Sequence, residues 1–241
     1  MIKYITFDLW ETLIADSPEL DTRRTEYRVT AAWNVLKRKF ENIDKGRILD
    51  AHQQVWEECT ISWQKARDLA FNEQVGLFLN MIGKDILPAL STEEFKTISK
   101  AYAEAVIEHP PTLIEGVRET LENLSSKGLV MGLICNTGRS PGFVLRKLLE
   151  DYHILRFFEC TLFSDETIVR KPDVEIFNKA VSELHASRDK MIHVGDSWEN
   201  DILGAQKTGI GAVWISPLNP DKKDCTVIRS IAHLPDIIGE L

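Results

Sequence analysis

The stretch Ile2-Lys3-Tyr4-Ile5-Thr6-Phe7-Asp8-Leu9-Trp10-Glu11-Thr12-Leu13 is mostly apolar for six residues and then meets a carboxylate. A run of that length suits a parallel strand covered on both faces. A carboxylate placed straight after it cannot join the strand's apolar neighbours, so Asp8 is expected to project into the crevice at the strand ends, where open α/β sheets bind ligands. The same kind of run returns at Leu129–Ile134, Phe158–Phe163, Met191–Val194 and Ala212–Ile215. Helical patterns lie between these runs. Gly116–Lys127 puts Val117, Leu121 and Leu124 on one face and stops at Gly128. Pro141–Leu149, Pro172–Leu184 and Glu199–Lys207 read the same way, the first two with proline near the start. Strands alternating with helices of this length predict an α/β fold with a doubly wound, Rossmann-like parallel sheet.

Between Asp16 and Glu108 the rhythm changes. No strand pattern stands out, and long helical patterns cover Thr22–Phe40, Arg47–Phe71 and Thr92–Ile107. Trp33, Leu36 and Phe40 recur at the spacing of one helix face. His109, Pro110 and Pro111 mark the return, since consecutive prolines end a helix. The expected division is a core of residues 1–15 and 110–241 with an all-helical insertion, residues 16–109, after the first strand.

The 241 residues carry a formal charge of −8, with 44% hydrophobic and 27% charged residues. That composition is of the globular kind and excludes a disordered or fibrous chain. An acidic surface without a Lys/Arg-rich run repels nucleic acid and anionic lipid. Cys59, Cys135, Cys160 and Cys225 are scattered, without the spacing of a disulfide framework or a zinc site. The first ten residues read as a strand rather than a secretion signal, and no uncharged apolar run nears eighteen residues. The expected setting is the cytoplasm, with a small-molecule partner and neither nucleic acid nor membrane.

Four segments follow strand ends. Asp8 to Leu13 is the first, and an aspartate or threonine there would also serve as an ordinary turn or helix cap. Cys135-Asn136-Thr137-Gly138 offers small hydrogen-bonding groups for an anion, though a plain strand-to-loop turn needs the same residues. Arg170-Lys171-Pro172-Asp173 leads into a helix, where an ammonium beside the N-terminus makes an anion site; a solvated lysine is the alternative. His193-Val194-Gly195-Asp196-Ser197-Trp198-Glu199-Asn200-Asp201 brings two more carboxylates. Gathered near Asp8 they repel one another unless a cation joins them, and hard oxygen ligands suit Mg²⁺. His193 lies within its strand and reads as a core residue.

Taken together and in this order, the four segments resemble the haloacid dehalogenase superfamily, and the helical insertion resembles its first type of cap. The resemblance covers essentially the whole chain. It implies an aspartate nucleophile, Asp8; a lysine, Lys171, that steadies it; a phosphate-binding group at Cys135, Asn136 and Thr137; Mg²⁺ held by Asp8, the Trp10 backbone carbonyl and Asp196; and supporting roles for Thr12 and Asp201.

Two departures from the family pattern limit what it implies. Phosphatase members carry a second aspartate, the proton donor, where this chain has Trp10, and Glu11 is the adjacent candidate to replace it. General acid–base help is worth about 10²–10⁴ in rate, so leaving groups that depart unprotonated would be favoured. Cys135 stands where Ser or Thr is usual, and a thiol is the weaker donor. Dehalogenase members share the aromatic residue at the Trp10 position but lack an aspartate where Asp196 stands. The leading expectation is a Mg²⁺-dependent phosphatase acting on a small phosphorylated metabolite, as a monomer or homodimer. The alternatives are a metal-free 2-haloacid dehalogenase forming an aspartyl ester and a non-catalytic binding protein. Arg23, Arg24 and Arg28 read as a solvated basic helix face or, if turned to the cleft, as an anion clamp. Trp33, Trp56 and Trp63 read as core of the helical insertion.

Overall fold

The computed structural model describes residues 1–218 and 225–239. Its strands are β1 (Tyr4–Phe7), β2 (Ile14–Ala15), β3 (Thr112–Leu113), β4 (Val130–Cys135), β5 (Phe158–Phe163), β6 (Met191–Gly195), β7 (Gly211–Ile215) and β8 (Thr226–Ile228). The main sheet is parallel in the order β5-β4-β1-β6-β7-β8. Ile5, Phe7, Leu133, Ile134, Val194 and Val213 are all fully buried, which is why these strands show unbroken apolar runs rather than alternation. β8 is an edge strand of three residues and leaves no such run.

The chain builds outward from β1 in both directions. β4 and β5 lie on one side, and β6, β7 and β8 on the other, so β1 marks the switch point of the sheet. Phe7 stands opposite both Leu133 and Val194, and Asp8 N–H donates to the Val194 carbonyl at 2.9 Å. The residues that follow β1, β4 and β6 therefore emerge side by side at one end.

Helices Pro18–Leu36, Lys45–Trp63, Phe71–Ile82, Ile86–Ala89 and Thr92–Glu108 lie between β2 and β3, and these two strands pair antiparallel with Ile14 opposite Leu113. The helical stretch thus leaves and rejoins the sheet through neighbouring strands too short to show a pattern in the sequence. Its helix starts follow capping chemistry. Ser17 accepts from Leu20 N–H with Pro18 next in line, and Ser91 and Glu94 form a capping box.

The expected single helix over 47–71 is broken. Lys45–Trp63 ends, Ala66 adopts φ of 52°, and a new helix begins at Phe71. In between, the chain pairs with the core: Arg67 bridges to Val169, Asp68 N–H donates to the Ile168 carbonyl, and Arg170 N–H donates to the Ala66 carbonyl. Periodicity along the chain carries no sign of such a long-range pairing. Among the described residues no helix is long and apolar enough to cross a membrane.

Packing in the helical stretch also buries His52, whose Nδ1 meets the Tyr102 hydroxyl at 3.0 Å. Burial, with the Arg139 and Arg28 charges, pushes its pKa down to about 2. The unfolded chain takes up a proton near pH 6.5 and the folded chain does not, so stability present above that pH is lost as pH falls. From pH 7 to pH 5 the loss assigned to His52 is about 2 kcal/mol. Urea unfolding at both pH values should show a smaller acid loss in His52→Gln than in the wild type; an identical loss would remove His52 from the account.

Candidate functional site

At the carboxyl ends of β1, β4 and β6 lies a cavity of about 240 Å³, lined by residues that include Asp8, Trp10, Asn136, Lys171, Asp196 and Asp201. Lys171 is its pivot. The buried ammonium donates to Asp8 Oδ1 at 2.5 Å and to Asp201 Oδ1 at 2.6 Å. Burial alone would lower the pKa of this lysine, but the charges of Asp201 and Asp8 override it and hold the group protonated.

Asp201 is 1% exposed and tightly held. Besides Lys171 it accepts from Ser197 N–H at 2.9 Å, and it meets His193 Nε2 at 3.1 Å. Burial would raise its pKa; the Lys171 charge and the His193 bond overcome that and keep it ionised. His193 is itself buried and pushed toward the neutral form by desolvation. A neutral ring that donates from Nε2 to Asp201 accepts at Nδ1 from the Thr6 hydroxyl, 2.9 Å away. His193 is thus a core residue that orients Asp201. Gly195 is required for the same packing, because a Cβ there would overlap the Asp201 carboxylate. The segment Trp198–Leu203 opens with Ser197 O accepting from both Asp201 N–H and Ile202 N–H, a widened π turn of the kind frequent at functional sites.

Asp8 and Asp196 are the under-compensated groups. Burial pushes Asp8 up to about 7 despite Lys171, and burial with the nearby Asp201 charge pushes Asp196 up to about 6. Carboxylate oxygens of Asp8, Asp196 and Asp201 all lie within 4.8 Å of one another. Three carboxylates therefore face one ammonium in a desolvated space, an arrangement that suits a divalent cation with oxygen ligands.

Other residues singled out in the sequence divide. Asn136 lines the cavity, but its side chain is committed: Nδ2 donates to the Lys171 carbonyl at 2.9 Å and Oδ1 accepts from Lys171 N–H at 2.8 Å. Its role in this structure is to fix the backbone that carries the lysine. Thr137 is bonded through its hydroxyl to Ser164 at 3.1 Å and accepts from Asp165 N–H. Cys135 is fully buried, its thiol pushed well up by desolvation, and it lines neither this cavity nor the larger one beside it. Thr12 is buried with its hydroxyl unpartnered. Glu11 also lines this cavity, and one of its carboxylate oxygens accepts from Asp16 N–H at 3.0 Å, bracing the turn after Asp8.

A second cavity, of about 660 Å³, shares Trp10 and Asn136 with the first. Its walls come from the helical stretch (Arg24, Arg28, Trp56, Trp63) and from the core (Arg139, Arg170). Two sequence expectations are corrected here. Arg24 and Arg28 are not a solvated face but buried at 3% and 2% exposure, and Trp56, 40% exposed, is wall rather than bundle core. Sequence reasoning also missed Asp68. Its buried carboxylate accepts from Trp63 Nε1, Ser164 Oγ and Arg170, tying the helical stretch to the core beside Lys171. The single clue was position: an aspartate within a run read as continuous helix.

Known proteins resemble the chain in sequence and in fold. The family model for haloacid dehalogenase-like hydrolases matches residues 45–215. Haloacid dehalogenase-like hydrolase domain-containing protein 3 of Xenopus laevis is 31% identical over 163 residues, 65% of this chain and 62% of that protein. A glyceraldehyde 3-phosphate phosphatase of Pyrococcus furiosus is 35% identical over 103 residues, 42% of this chain and 41% of that one. The chain thus spans less than two thirds of the length of either relative. In fold, the crystal structure of a 2-haloacid dehalogenase from Pseudomonas syringae pv. Tomato superposes with a TM-score of 0.71 at 20% identity, covering 100% of this chain and 99% of that one. With the strand-end carboxylates, the central lysine and the matched family model together, the chain belongs to the haloacid dehalogenase-like hydrolase family.

Proposed function

We propose that the chain is a Mg²⁺-dependent phosphatase-type hydrolase of a small phosphorylated compound, with Asp8 as nucleophile and the helices of residues 16–109 as a cap over the site. The observation that carries this reading is the charge imbalance: Asp8, Asp196 and Asp201 converge, and among the described residues Lys171 is the one lysine or arginine paired with any of them. Asp201 is already bonded to Lys171, His193 and Ser197, so Asp8 and Asp196, with the Trp10 carbonyl, are the residues that would hold Mg²⁺. Mg²⁺ held there would supply positive charge to the transferring phosphoryl group.

The chain's own residues do the rest. Lys171 fixes Asp8 Oδ1 and opposes the burial that raises its pKa, and the free oxygen of the ionised carboxylate attacks phosphorus. An oxygen–phosphorus bond forms to Asp8 as the ester bond breaks, and the electron pair leaves with the alcohol oxygen. Water then attacks phosphorus and returns Asp8 as a carboxylate. Asn136 contributes by holding the Lys171 backbone, and His193 by holding Asp201. No carboxyl stands at position 10 to protonate the departing oxygen, which favours acyl phosphates and acidic alcohols. Phosphatase relatives, including the glyceraldehyde 3-phosphate phosphatase and a phosphoglycolate phosphatase of Vibrio parahaemolyticus, support a small phosphate ester as substrate.

Trp10 favours a second reading, in which the carboxylate attacks carbon and halide leaves without a proton. One panel separates the two. Phosphate release from acetyl phosphate and p-nitrophenyl phosphate is expected with Mg²⁺ and is expected to stop in EDTA. Chloride release from 2-chloropropionate that persists in EDTA would replace the phosphatase reading with dehalogenation.

A further inference from the structure

The larger cavity carries more positive charge than a passage to the nucleophile needs. Asp16 pairs with Arg24, Asp68 pairs with Arg170 at 3.1 Å, and Asp21 reaches Arg139 only at 4.0 Å. Arg28 has no carboxylate within ion-pair distance among the described residues. Its Nε donates to the Tyr102 carbonyl at 2.9 Å and one terminal nitrogen reaches Ser140 Oγ at 3.4 Å. Burial pushes this guanidinium down to about 10, still charged at neutral pH. A buried charge with no carboxylate in contact is costly to keep, and here it stands on a cavity wall, with Asp21 acting on it only from a distance, in a protein whose net charge is −8.

Arg139 adds to the same wall from the core side. Its guanidinium lies over the Trp56 ring, 4.4 Å from the centroid, and its buried Nε has no hydrogen-bond partner. Stacking on an aromatic face fixes the guanidinium plane and leaves its N–H edge for planar or tetrahedral oxyanions. The two arginines thus line one space, one from helix Pro18–Leu36 and one from the loop after β4, where Arg28 also reaches Ser140 beside Arg139.

We propose that this cavity is a second anion subsite, in which Arg28 and Arg139 select phosphate esters bearing another anionic group, a carboxylate or phosphate, away from the scissile phosphate. The assignment rests on the phosphatase reading for the group bound at Asp8, and it narrows the substrate class to small bis-anionic esters. The reacting phosphate sits at Asp8, the chain passes Trp10 and Asn136, which line both cavities, and the second anion closes the Arg28 charge.

Binding to a non-reacting protein tests this separately from catalysis. Calorimetric titration of Asp8→Asn in Mg²⁺ would compare 3-phosphoglycerate, propane-1,3-diol bisphosphate and glycerol 3-phosphate. A charge-assisted pair predicts that the bis-anionic esters bind at least about tenfold tighter than glycerol 3-phosphate. Whichever of the two binds tighter identifies the second group. Arg28→Lys and Arg139→Met, each in that background, should cut the preference to about threefold or less. Should the buried Arg28 variant not fold, Arg139→Met at the cavity wall carries the test alone. Equal affinity for all three esters, no binding of any, or a preference that survives Arg139→Met overturns the subsite. Failure of the phosphatase reading is seen elsewhere, as absence of phosphate release from these esters when Asp8 is intact.

Discussion

Trp10→Asp is expected to raise kcat/KM for an alkyl phosphate such as glycerol 3-phosphate by about 10²-fold, within the 10²–10⁴ that a positioned general acid contributes. The same change should move acetyl phosphate hydrolysis far less, because acetate leaves without a proton. The geometry motivates the pairing. Trp10 follows Asp8 by two residues and lines both the small cavity and the large one, so on the phosphatase reading it would stand beside the departing group. The backbone carbonyl expected to hold Mg²⁺ is untouched by the substitution. Glu11 lines the small cavity as well, with one carboxylate oxygen engaged by Asp16 N–H, so Trp10→Asp is measured beside Glu11→Gln to separate the two positions. The measurement is steady-state kinetics on both substrates for each protein. An equal gain on acetyl phosphate would mean that shape, not proton transfer, limits the wild type.

Asp8→Asn is expected to lower turnover by about 10⁴-fold or more, the scale on which losing a nucleophile is felt. Its effect on stability should have the opposite sign. Without Mg²⁺, three carboxylates, two of them buried and Asp196 half-buried, share one ammonium, and burial pushes Asp8 up to about 7. An isosteric amide removes one of the mutually repelling charges and leaves the Lys171–Asp201 pair at 2.6 Å intact. Thermal unfolding in EDTA should therefore place Asp8→Asn at or above the wild type, the usual relation between a strained site and stability. With Mg²⁺ the order should close or reverse, because a ligand that binds the folded wild type stabilises it. A variant that is both inactive and much less stable in EDTA would count against this charge arrangement.

Strand placement was legible in the sequence because burial on both faces prints as an unbroken apolar run. Phe158–Phe163 is found where it was expected, and Met191–Val194 and Leu129–Ile134 are found to within a residue. The place of Asp8 and Asp196 was legible for a related reason, since each directly follows a strand of the parallel sheet, whereas Lys171 lies beyond helix Ser164–Thr167 and Asp201 within Trp198–Leu203. What the sequence did not show is set by contacts distant along the chain. Arg24 and Arg28 follow a polar helix pattern because their buried side chains face a cavity rather than an apolar core. Asn136 lines both cavities, and its bonds to the Lys171 backbone, a pairing across 35 positions, leave no local sign. The break at 64–70 depends on Asp68 finding Ser164 and Arg170, which no local propensity encodes.

Borohydride quenching during turnover tests the central claim most directly. The protein would be mixed with acetyl phosphate and Mg²⁺, quenched with borohydride and mapped by peptide mass spectrometry. An aspartyl-phosphate at Asp8 is reduced by this reagent to homoserine, so the account predicts that conversion at position 8, dependent on both substrate and Mg²⁺ and accompanied by phosphate release. Phosphate release with Asp8 left unconverted would contradict it.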